Sequence, residues 1–364
     1  MKKQIFSLIF LVSVILPSFL FSAEAPKYSN EFLSIGVGAR ALAMSNSYVT
    51  SVNDVTAGYW NPAGLLNIKD FAQAGLMHSS YFGGITKYDY GGFARAIDSS
   101  SALAISLVRF GVDDIPNTTD LIDANGNIDY NRISSFSATD YALLFSYARK
   151  LNLGKLKDIR LGANAKIIRR TIGDFGGAWG FGLDAGAQYD SKNWMFGVMA
   201  RDITTTFNAW SYNLSDVMKS TFAATGNEIP DNSVEITLPR LIMGAARKFS
   251  FYQSKMSLLS ELNLDATFDG ERNTLIKSGL VSVDPHLGFE LGYMNFVFLR
   301  AGIGNIQRTT DILDRKVTIV QPNIGIGFKV KIFTVDYALA DIGDKSLALS
   351  NVFSLKVDIN KKPK

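Results

Sequence analysis

Apolar and polar residues alternate along most of this chain, from about residue 71 onward. Between residues 179 and 189, every second position is apolar, and the positions between them carry glycine, Asp184 or Gln188. The same alternation recurs at residues 286–293 and 323–330. A period of two is the period of a β-strand whose two faces meet different surroundings. The pattern predicts strands with one apolar face and one face rich in glycine and charge.

Segments of this kind predict about fourteen strands. They fall at 71–81, 85–98, 100–110, 138–150, 156–170, 175–190, 193–203, 236–249, 255–266, 283–294, 296–307, 317–330, 332–341 and 346–359. An even number of antiparallel strands is typical of bacterial single-chain barrels in membranes. The predicted fold class is therefore all-β, a transmembrane antiparallel β-barrel of about fourteen strands.

The lengths of the connections support a barrel independently. The long connections, 111–137, 204–235 and 267–282, follow the third, seventh and ninth strands, whereas the shortest ones follow even-numbered strands. Long loops on one side and short turns on the other are typical of an outer-membrane barrel. A periplasmic β-sandwich or propeller is the alternative fold. We therefore expect the protein in the cell outer membrane, in contact with its lipid.

The N-terminus has the features of a secretory signal peptide. A basic start, Met1-Lys2-Lys3, is followed by an apolar stretch from Ile5 to Phe21 and then by small residues. An anchoring helix is the alternative, but Pro17 and the short apolar run argue against it. Cleavage is expected after residue 23 to 25. The predicted organisation is then a signal peptide at 1–23, a plug at 26–70, the barrel at 71–359 and a polar tail at 360–364.

Composition narrows the possible functions. The chain has no cysteine, which excludes disulfides and thiolate metal sites. Only 19% of its residues are charged, below the quarter or so that is usual in soluble domains. The formal net charge of +4 is too small to indicate a nucleic-acid partner. No cofactor is expected.

Motifs for catalysis or for metal binding are weak. The only histidines are His78 and His286, and no GxSxG sequence marks a nucleophilic serine. We expect His286 to face the lumen together with Glu290. The GxGxxA match at residues 36–41 lacks the βαβ context of a dinucleotide site. Asp123 begins a calcium-like DANGNID sequence without the glycine and acid that an EF-hand needs. We expect no catalytic residues and no metal site.

Charged residues fall on the predicted inner face of several strands. Charges in membrane-spanning segments normally face a lumen or one another. They could bind a solute, or they could neutralise one another and fill the barrel. The residues are Arg160, Lys166, Asp184, Glu290, Arg300 and Lys329.

The two longest predicted outer loops contain aromatic and aliphatic residues. Exposed groups of this kind suit a surface that binds a partner, although they could equally pack together as a lid. The candidates are Ile115 and Tyr130 in the first loop, and Phe207, Trp210, Tyr212 and Phe222 in the second.

The segment between the signal peptide and the strands carries a family resemblance. Asn61-Pro62-Ala63-Gly64 resembles the signature of the FadL-like superfamily of outer-membrane barrels. A longer stretch around this motif is similar to the PorV/PorQ branch of that superfamily. It runs from Ile35-Gly36-Val37-Gly38-Ala39-Arg40-Ala41 to Tyr59-Trp60-Asn61-Pro62-Ala63-Gly64-Leu65. The resemblance implies that this segment is a hatch that plugs the barrel.

The resemblance also implies a function. PorV/PorQ proteins are outer-membrane components of the type IX secretion system, and their partners are the sortase complex, the translocon and cargo with a C-terminal signal domain. We therefore expect a non-enzymatic barrel that binds or shuttles cargo or the sortase complex through its outer loops. The alternative is a FadL-like transporter of hydrophobic small molecules, for which we expect a kinked strand or a side opening near the hatch.

Overall fold

A computed structural model of the protein describes residues 29–121, 127–154, 156–310, 314–341 and 349–360. The predicted signal peptide lies outside the described residues, as do residues 361–364 of the predicted tail.

Fourteen strands form one continuous wall, as the alternation predicts. Two of them, β7 and β8, each consist of two segments. The strands are β1 (Ala72–Tyr81), β2 (Thr86–Ala96), β3 (Ser101–Asn117), β4 (Ser134–Leu153), β5 (Leu156–Ile172), β6 (Gly176–Ser191), β7 (Trp194–Arg201 and Thr206–Tyr212), β8 (Ser233–Thr237 and Arg240–Phe251), β9 (Met256–Thr267), β10 (Ser282–Tyr293), β11 (Val297–Thr310), β12 (Lys316–Val330), β13 (Phe333–Ala340) and β14 (Ser350–Ile359). A two-residue strand, Ile276–Lys277, adds to the edge of β10.

The wall closes on itself between its first and last strands. β1 pairs antiparallel with β14, from Ala72 opposite Ile359 to Ser80 opposite Asn351. Every other neighbouring pair is antiparallel as well. The prediction of an all-β barrel of fourteen antiparallel strands is confirmed. Because the first and last strands pair, the sheet has no free edge. A sheet can cross a bilayer only when it is closed in this way.

The two faces of the wall differ as the sequence predicts. In β6, Trp179 and Phe181 point outward and are exposed, while Gly180, Asp184 and Gln188 point inward and are buried. Leucine, isoleucine, valine and phenylalanine occupy the outward positions of most other strands. An apolar outside is stable only in contact with lipid. The wall is therefore built to lie in a membrane.

The predicted loops are shorter in the structure. β3 continues to Asn117 and β4 begins at Ser134, so these two strands rise beyond their neighbours as a paired ribbon. The predicted loop 204–235 contains the second segment of β7, a helix α3 (Asp216–Ala224) and the start of β8. Long connections lie at one end of the barrel and short turns at the other. We call these the long-loop end and the short-turn end.

The N-terminal segment, residues 29–71, lies inside the barrel, and we call it the plug. It contains two short helices, α1 (Ala39–Ala43) and α2 (Ala57–Trp60), and a 3₁₀ helix at Pro62–Asn67. Most of its side chains are buried against the inner wall. Among the described residues, no helix has both the length and the apolar content that crossing a membrane requires.

Glycines on the inner wall allow the plug to lie directly against the strands. A Cβ atom on Gly288 would lie 2.8 Å from Met44 Cβ, and one on Gly197 would lie 2.8 Å from Thr50 Cα. Both distances are too short for carbon atoms that are not bonded. Other inward glycines with similarly close plug atoms are Gly75, Gly162, Gly186, Gly244, Gly302 and Gly325. The glycine-rich inner face predicted from the sequence is thus the surface that receives the plug.

Candidate functional site

A buried chain of charges fastens the plug to the wall. Arg40 of α1 donates from Nε and Nη2 to the carboxylate of Glu290, at 2.7 and 2.8 Å. Glu290 also accepts from Arg300 Nε at 2.7 Å, and Arg300 donates to Asp336 at 2.8 Å. The side chains of Glu290, Arg300 and Asp336 are at most 10% exposed. Buried charges are tolerated only when they are paired, so this network requires Arg40 of the plug.

A second ionic anchor involves Asp54 of the plug. Lys356 of β14 donates to Asp54 at 2.7 Å, and Tyr48 donates to the same carboxylate at 3.1 Å. Burial by itself would raise the pKa of Asp54. The positive charges of Lys356 and Arg40 outweigh burial and hold the pKa well below its usual range. Asp54 is therefore ionised, and its charge is neutralised by the last strand of the barrel.

Side chains of the wall also bind the backbone of the plug. Glu261 accepts hydrogen bonds from the backbone N–H groups of Thr50 and Ser51, at 2.8 and 3.1 Å. Gln188 donates to the carbonyls of Val49 and Thr50, at 3.1 and 3.0 Å. Buried backbone groups outside regular structure need such partners. The wall therefore supplies hydrogen bonds to the backbone of each of residues 49–51.

The Asn61-Pro62-Ala63-Gly64 motif lies where the plug meets β6 and β7. The Asn61 amide donates to Val49 O of the plug at 3.0 Å, and to Ala187 O and Val198 O of the wall at 3.2 and 3.3 Å. Its Oδ1 accepts from Ala63 N at 3.2 Å and caps the 3₁₀ helix that Pro62 begins. Asn61 thus bonds the plug to two strands at once.

The six inward charges predicted from the sequence all form ion pairs in the structure. The pairs are Arg160 with Asp190, Lys166 with Asp184 and Asp202, Glu290 with Arg40 and Arg300, Arg300 with Asp336, and Lys329 with Asp358. The geometry therefore favours mutual neutralisation over solute binding for these six residues.

The wall is interrupted where β7 and β8 both break. The ladder between them has Arg201 opposite Arg240 and, next, Thr206 opposite Thr237. Among the described residues, no ladder pair joins the intervening Asp202–Thr205 to Leu238–Pro239. Pro239 has no N–H group to donate. We call these two segments the wall break.

A buried ion cluster holds the wall break closed. Lys166 of β5 lies 2.7 Å from Asp184 and 2.6 Å from Asp202, and its side chain is 3% exposed. Asp202 donates its backbone N–H to Asp184 at 2.8 Å, and Thr206 donates its hydroxyl to Asp202. Thr205 has φ +60°, which is strained for a β-branched residue. The cluster therefore holds a strained segment in place.

Two neighbouring cavities lie near the wall break. The smaller one, of about 50 Å³, lies between the plug and the break, and we call it the gap cavity. The larger one, of about 460 Å³, lies between the plug and the long loops, and we call it the vestibule. Both are lined by Glu31, Ser34, Arg240, Thr267 and Arg272. The gap cavity and the vestibule are therefore neighbours, separated by the side chains that line both.

The vestibule is mainly polar, and sequence reasoning did not identify its residues. Asp265, Thr267, Asp284 and His286 line it from neighbouring strands. Asp265, Asp284 and His286 fall within predicted strands, whereas Thr267 was predicted to begin the long connection 267–282 and in fact ends β9. The alternation does not show which inward positions lie above the plug, because that depends on how deep the plug sits.

The two histidines lie on opposite faces of the wall. His286 contacts Ser45 O at 2.9 Å and Asp284 at 3.3 Å. Its side chain faces the lumen as expected, as does that of Glu290, which pairs with Arg40 and Arg300. His78 lies on the outward face of β1 and contacts Asp89 at 2.7 Å. Within the described ranges, no group of three or more His, Asp or Glu side chains could hold a metal ion. Asp123 lies outside those ranges.

Several residues predicted for outer loops lie in strands instead. Ile115 belongs to the extension of β3, and Phe207, Trp210 and Tyr212 belong to the second segment of β7. In that segment Phe207 points outward, whereas Trp210 points into the lumen beneath the Arg170 guanidinium. The loop assignment was wrong because β7 resumes after its break, which the alternation pattern did not reveal.

Tyr130 and Phe222 do lie outside the barrel strands. Tyr130 begins a 3₁₀ helix in the connection between β3 and β4 and is 71% exposed. Phe222 lies in α3 and is half-buried. Thr221, the residue before Phe222 in α3, donates its hydroxyl to Thr119 O at 3.2 Å. The two long connections therefore touch, and Tyr130 remains accessible.

Comparison with solved structures gives the fold a family context. CymD, a monoaromatic hydrocarbon channel, superposes with a TM-score of 0.57 at 12% identity over 90% of this chain and 99% of that one. The Pseudomonas putida toluene transporter TodX superposes with a TM-score of 0.54 at 13% identity, over 89% of this chain and 98% of that one. A Pseudomonas aeruginosa FadL homologue superposes with a TM-score of 0.52 at 13% identity, over 88% of this chain and 98% of that one.

The fold is that of the FadL-like outer-membrane barrels. Together with the apolar outer face, this fold places the protein in the cell outer membrane, as expected. The three neighbours are channels or transporters by name. No family model matches the sequence, and no curated protein matches it either.

Proposed function

We propose that the protein is a transporter that lets small, largely apolar molecules pass through the outer membrane. Molecules would enter the vestibule from the long-loop end and leave the lumen sideways through the wall break. The observation that carries this proposal is the interruption of β7 and β8 at the same height, beside a cavity that shares five lining residues with the vestibule.

The plug favours a sideways path over a path along the barrel axis. It contacts the wall around the lumen through close glycine contacts and buried ion pairs. A molecule moving along the barrel axis would have to displace all of these contacts at once. Leaving through the wall break requires only the local cluster around Lys166 to rearrange.

The lining of the gap cavity suits an apolar molecule. Leu33, Leu144, Ile236, Leu238 and Pro239 line it next to the break. Apolar walls with a few polar groups are typical of small-molecule sites. The neighbours CymD and TodX are named as a monoaromatic hydrocarbon channel and a toluene transporter, which supports the same class of substrate here.

The wall break must widen for transport. A cavity of about 50 Å³ holds one or two water molecules, not a toluene molecule. Asp202 and Thr205 both have positive φ, so the closed segment stores strain that opening can release. We therefore expect the closed form to exchange with a wider one in which Asp202 leaves Lys166.

Cross-linking the wall break tests the proposal. The chain has no cysteine, so the pair Thr204→Cys and Leu238→Cys can be joined selectively with a short bis-maleimide. Cells that carry the variant should take up labelled toluene, and cross-linking should abolish that uptake. Uptake is measured as an initial rate in cells with an intact outer membrane.

A control pair lies in the same two strands above the break. Ala209 is directly opposite Val234, and both point outward. Cross-linking Ala209→Cys to Val234→Cys should leave uptake unchanged. If both cross-links have equal effects, or if the barrel never increases uptake of toluene or oleate, the transport proposal is wrong.

A second candidate function is a role in type IX secretion, as the resemblance of residues 35–65 to PorV/PorQ proteins implies. Exposed apolar side chains at the long-loop end favour a protein partner. Leu280 is 86% exposed and Tyr130 is 71% exposed, and Val217 on α3 is exposed as well. Aromatic and aliphatic groups at such positions are typical of interfaces.

Affinity purification from solubilised outer membranes distinguishes the two functions. A secretion component should retain a sortase or cargo with a C-terminal signal domain, and Tyr130→Ser with Leu280→Ser should weaken that retention. A transporter should retain neither. The secretion function would be favoured if such partners are recovered and if cross-linking the wall break does not change toluene uptake.

A further inference from the structure

One arginine on the lipid-facing side of the wall has no acidic partner. Arg247 of β8 points outward, since the preceding residue, Ala246, points inward and is fully buried. Within the described ranges, Arg247 forms no ion pair and no hydrogen bond. Of its three guanidinium nitrogens, only Nε is enclosed. The two terminal nitrogens, which carry most of its N–H donors, therefore remain accessible from the outside.

Two aromatic side chains hold this guanidinium in position. Trp194 of β7 is directly opposite Arg247 in the strand ladder, and Phe249 is two positions further along β8 on the same face. The guanidinium carbon lies 5.2 Å from the centre of the Trp194 ring and 4.8 Å from that of Phe249. Both aromatic side chains are exposed. A guanidinium that lies over aromatic rings keeps the N–H groups along its edge free to donate.

The height of Arg247 on the wall matches the level of the lipid headgroups. On β6, the outward aromatic residues Trp179 and Tyr189 are ten positions apart. Ten residues extend about 33 Å along a strand, or roughly 25 Å across a membrane at the usual strand tilt, which is the height of the apolar band of such barrels. Tyr189 is opposite Phe196, and Trp194 and Arg247 lie one outward position closer to the short turns. Arg247 therefore lies at the headgroup level of the leaflet at the short-turn end, which faces the periplasm in such barrels.

The charges around Arg247 favour an anion. Among the described residues, the outward faces of β7, β8 and β9 carry no carboxylate. Lys192 and Lys255 lie in the two adjoining short turns, and both are exposed. A positive charge without a partner is unfavourable against lipid, so Arg247 requires a negative group from the membrane.

We propose that Arg247, with Trp194 and Phe249, binds the phosphate group of an anionic phospholipid in the periplasmic leaflet. A guanidinium can donate two parallel hydrogen bonds to one phosphate, and aromatic rings at this level suit the boundary between headgroup and acyl chains. Lys192 and Lys255 add positive charge, which favours a lipid with a net negative charge over a zwitterionic one. The acyl chains would lie along the apolar outward face of β7 and β8. This site lies outside the lumen and goes beyond the proposed transport function, on which it does not depend.

Lipid binding to the purified barrel with its plug, in nonionic detergent, tests the inference. The probes are palmitoyl-oleoyl phosphatidylglycerol and phosphatidylcholine with the same acyl chains, and native mass spectrometry counts the bound lipids. The wild type should retain one phosphatidylglycerol at concentrations at which phosphatidylcholine is lost. Arg247→Gln should weaken phosphatidylglycerol binding about fivefold, as expected for one basic residue at an anionic membrane surface. Phosphatidylglycerol should also raise the melting temperature of the wild type more than that of the variant.

Arg149→Gln is the matched control. Arg149 of β4 also points outward near the short-turn end, but no ring of a described residue lies over its guanidinium. This variant loses the same charge and should bind phosphatidylglycerol as the wild type does. Both substitutions lie outside the buried ion pairs, so both barrels should fold, which circular dichroism verifies. Equal weakening by the two substitutions, or equal retention of the two lipids by the wild type, would overturn the inference.

Glycerol 3-phosphate distinguishes a lipid site from a site for soluble phosphates. In large excess it should not displace phosphatidylglycerol, because it lacks the acyl chains that lie against the strands. Displacement that depends on Arg247 would overturn the inference in favour of a soluble anion.

Discussion

At the scale of single residues, the plug depends on a few buried charges. Glu290 accepts hydrogen bonds from Arg40 of the plug and Arg300 of the wall, so two guanidinium groups share one carboxylate. Removing a single member of such a network leaves other charges buried without a partner, which usually costs more than the pair contributed.

Glu290→Gln should lower the free energy of unfolding by about 3 kcal/mol or more, because Arg40 and Arg300 would lose their shared partner. Urea unfolding in lipid vesicles measures this change. Asp158→Asn removes a charge from an exposed pair with Lys150, whose atoms are 3.7 Å apart. This control should change the free energy by less than about 1 kcal/mol. Equal effects of the two variants would contradict the anchoring role of Glu290.

Asp54 predicts a specific dependence on pH. Its pKa in the folded protein is lowered below the unfolded value of about 3.9, so the Asp54–Lys356 contact stabilises the fold at neutral pH. That stabilisation persists above the unfolded pKa and is lost as the pH falls through the lower, folded pKa. The difference in melting temperature between wild type and Asp54→Asn should therefore stay constant from pH 7 to pH 5 and shrink only in stronger acid. A difference that shrinks already between pH 7 and pH 5 would contradict this.

At the scale of the strand, the inner glycines determine how closely the plug approaches. Gly288 lies against Met44 of the plug. Gly91 points outward, and the only atom near a Cβ added there would belong to Leu76, at 3.6 Å. The same residue type therefore has different roles on the two faces of the wall.

Gly288→Val should push the plug away from β10, because the new side chain would occupy the position of Met44. We expect faster protease cleavage within residues 29–71, followed by mass spectrometry of the released fragments. Gly91→Val should leave cleavage unchanged, since its side chain would face lipid. Similar protection of the plug in both variants would show that the close contact at Gly288 is dispensable.

The strands also show where sequence reasoning succeeds and where it fails. Alternation in β6 predicted both faces correctly, because a residue on a barrel strand meets either lipid or lumen. It failed at β7, which was predicted to end at residue 203 although the chain rejoins the wall at Thr206. Pro239 inside the predicted eighth strand was an available signal, since proline rarely lies within a paired strand. The depth of the plug has no comparable local signal, so the vestibule could not be predicted.

At the scale of the whole molecule, the plug and the barrel form one packed body. The plug has hydrogen bonds or ion pairs to β1, β6, β7, β9, β10 and β14. An empty barrel of fourteen strands would contain a water-filled channel. The filled lumen therefore predicts a low permeability to ions.

Wild-type protein in planar bilayers should show almost no steady conductance. Deletion of residues 29–70 behind an intact signal peptide should produce stable conducting channels, since it removes what fills the lumen. Gly91→Val serves as the control and should remain closed. A wild-type protein that conducts as well as the deletion variant would contradict a sealed lumen.

The closing seam of the barrel contains a contribution from the plug. Gln73 of β1 accepts a hydrogen bond from Val55 N of the plug at 2.6 Å and donates to Asp358 of β14 at 2.6 Å. Lys356, also on β14, pairs with Asp54. The first and last strands thus meet through residues that the plug holds in position. During assembly, the N-terminal segment can therefore guide the last strand towards the first from inside the lumen, whereas the backbone ladder between the two strands closes the barrel without it.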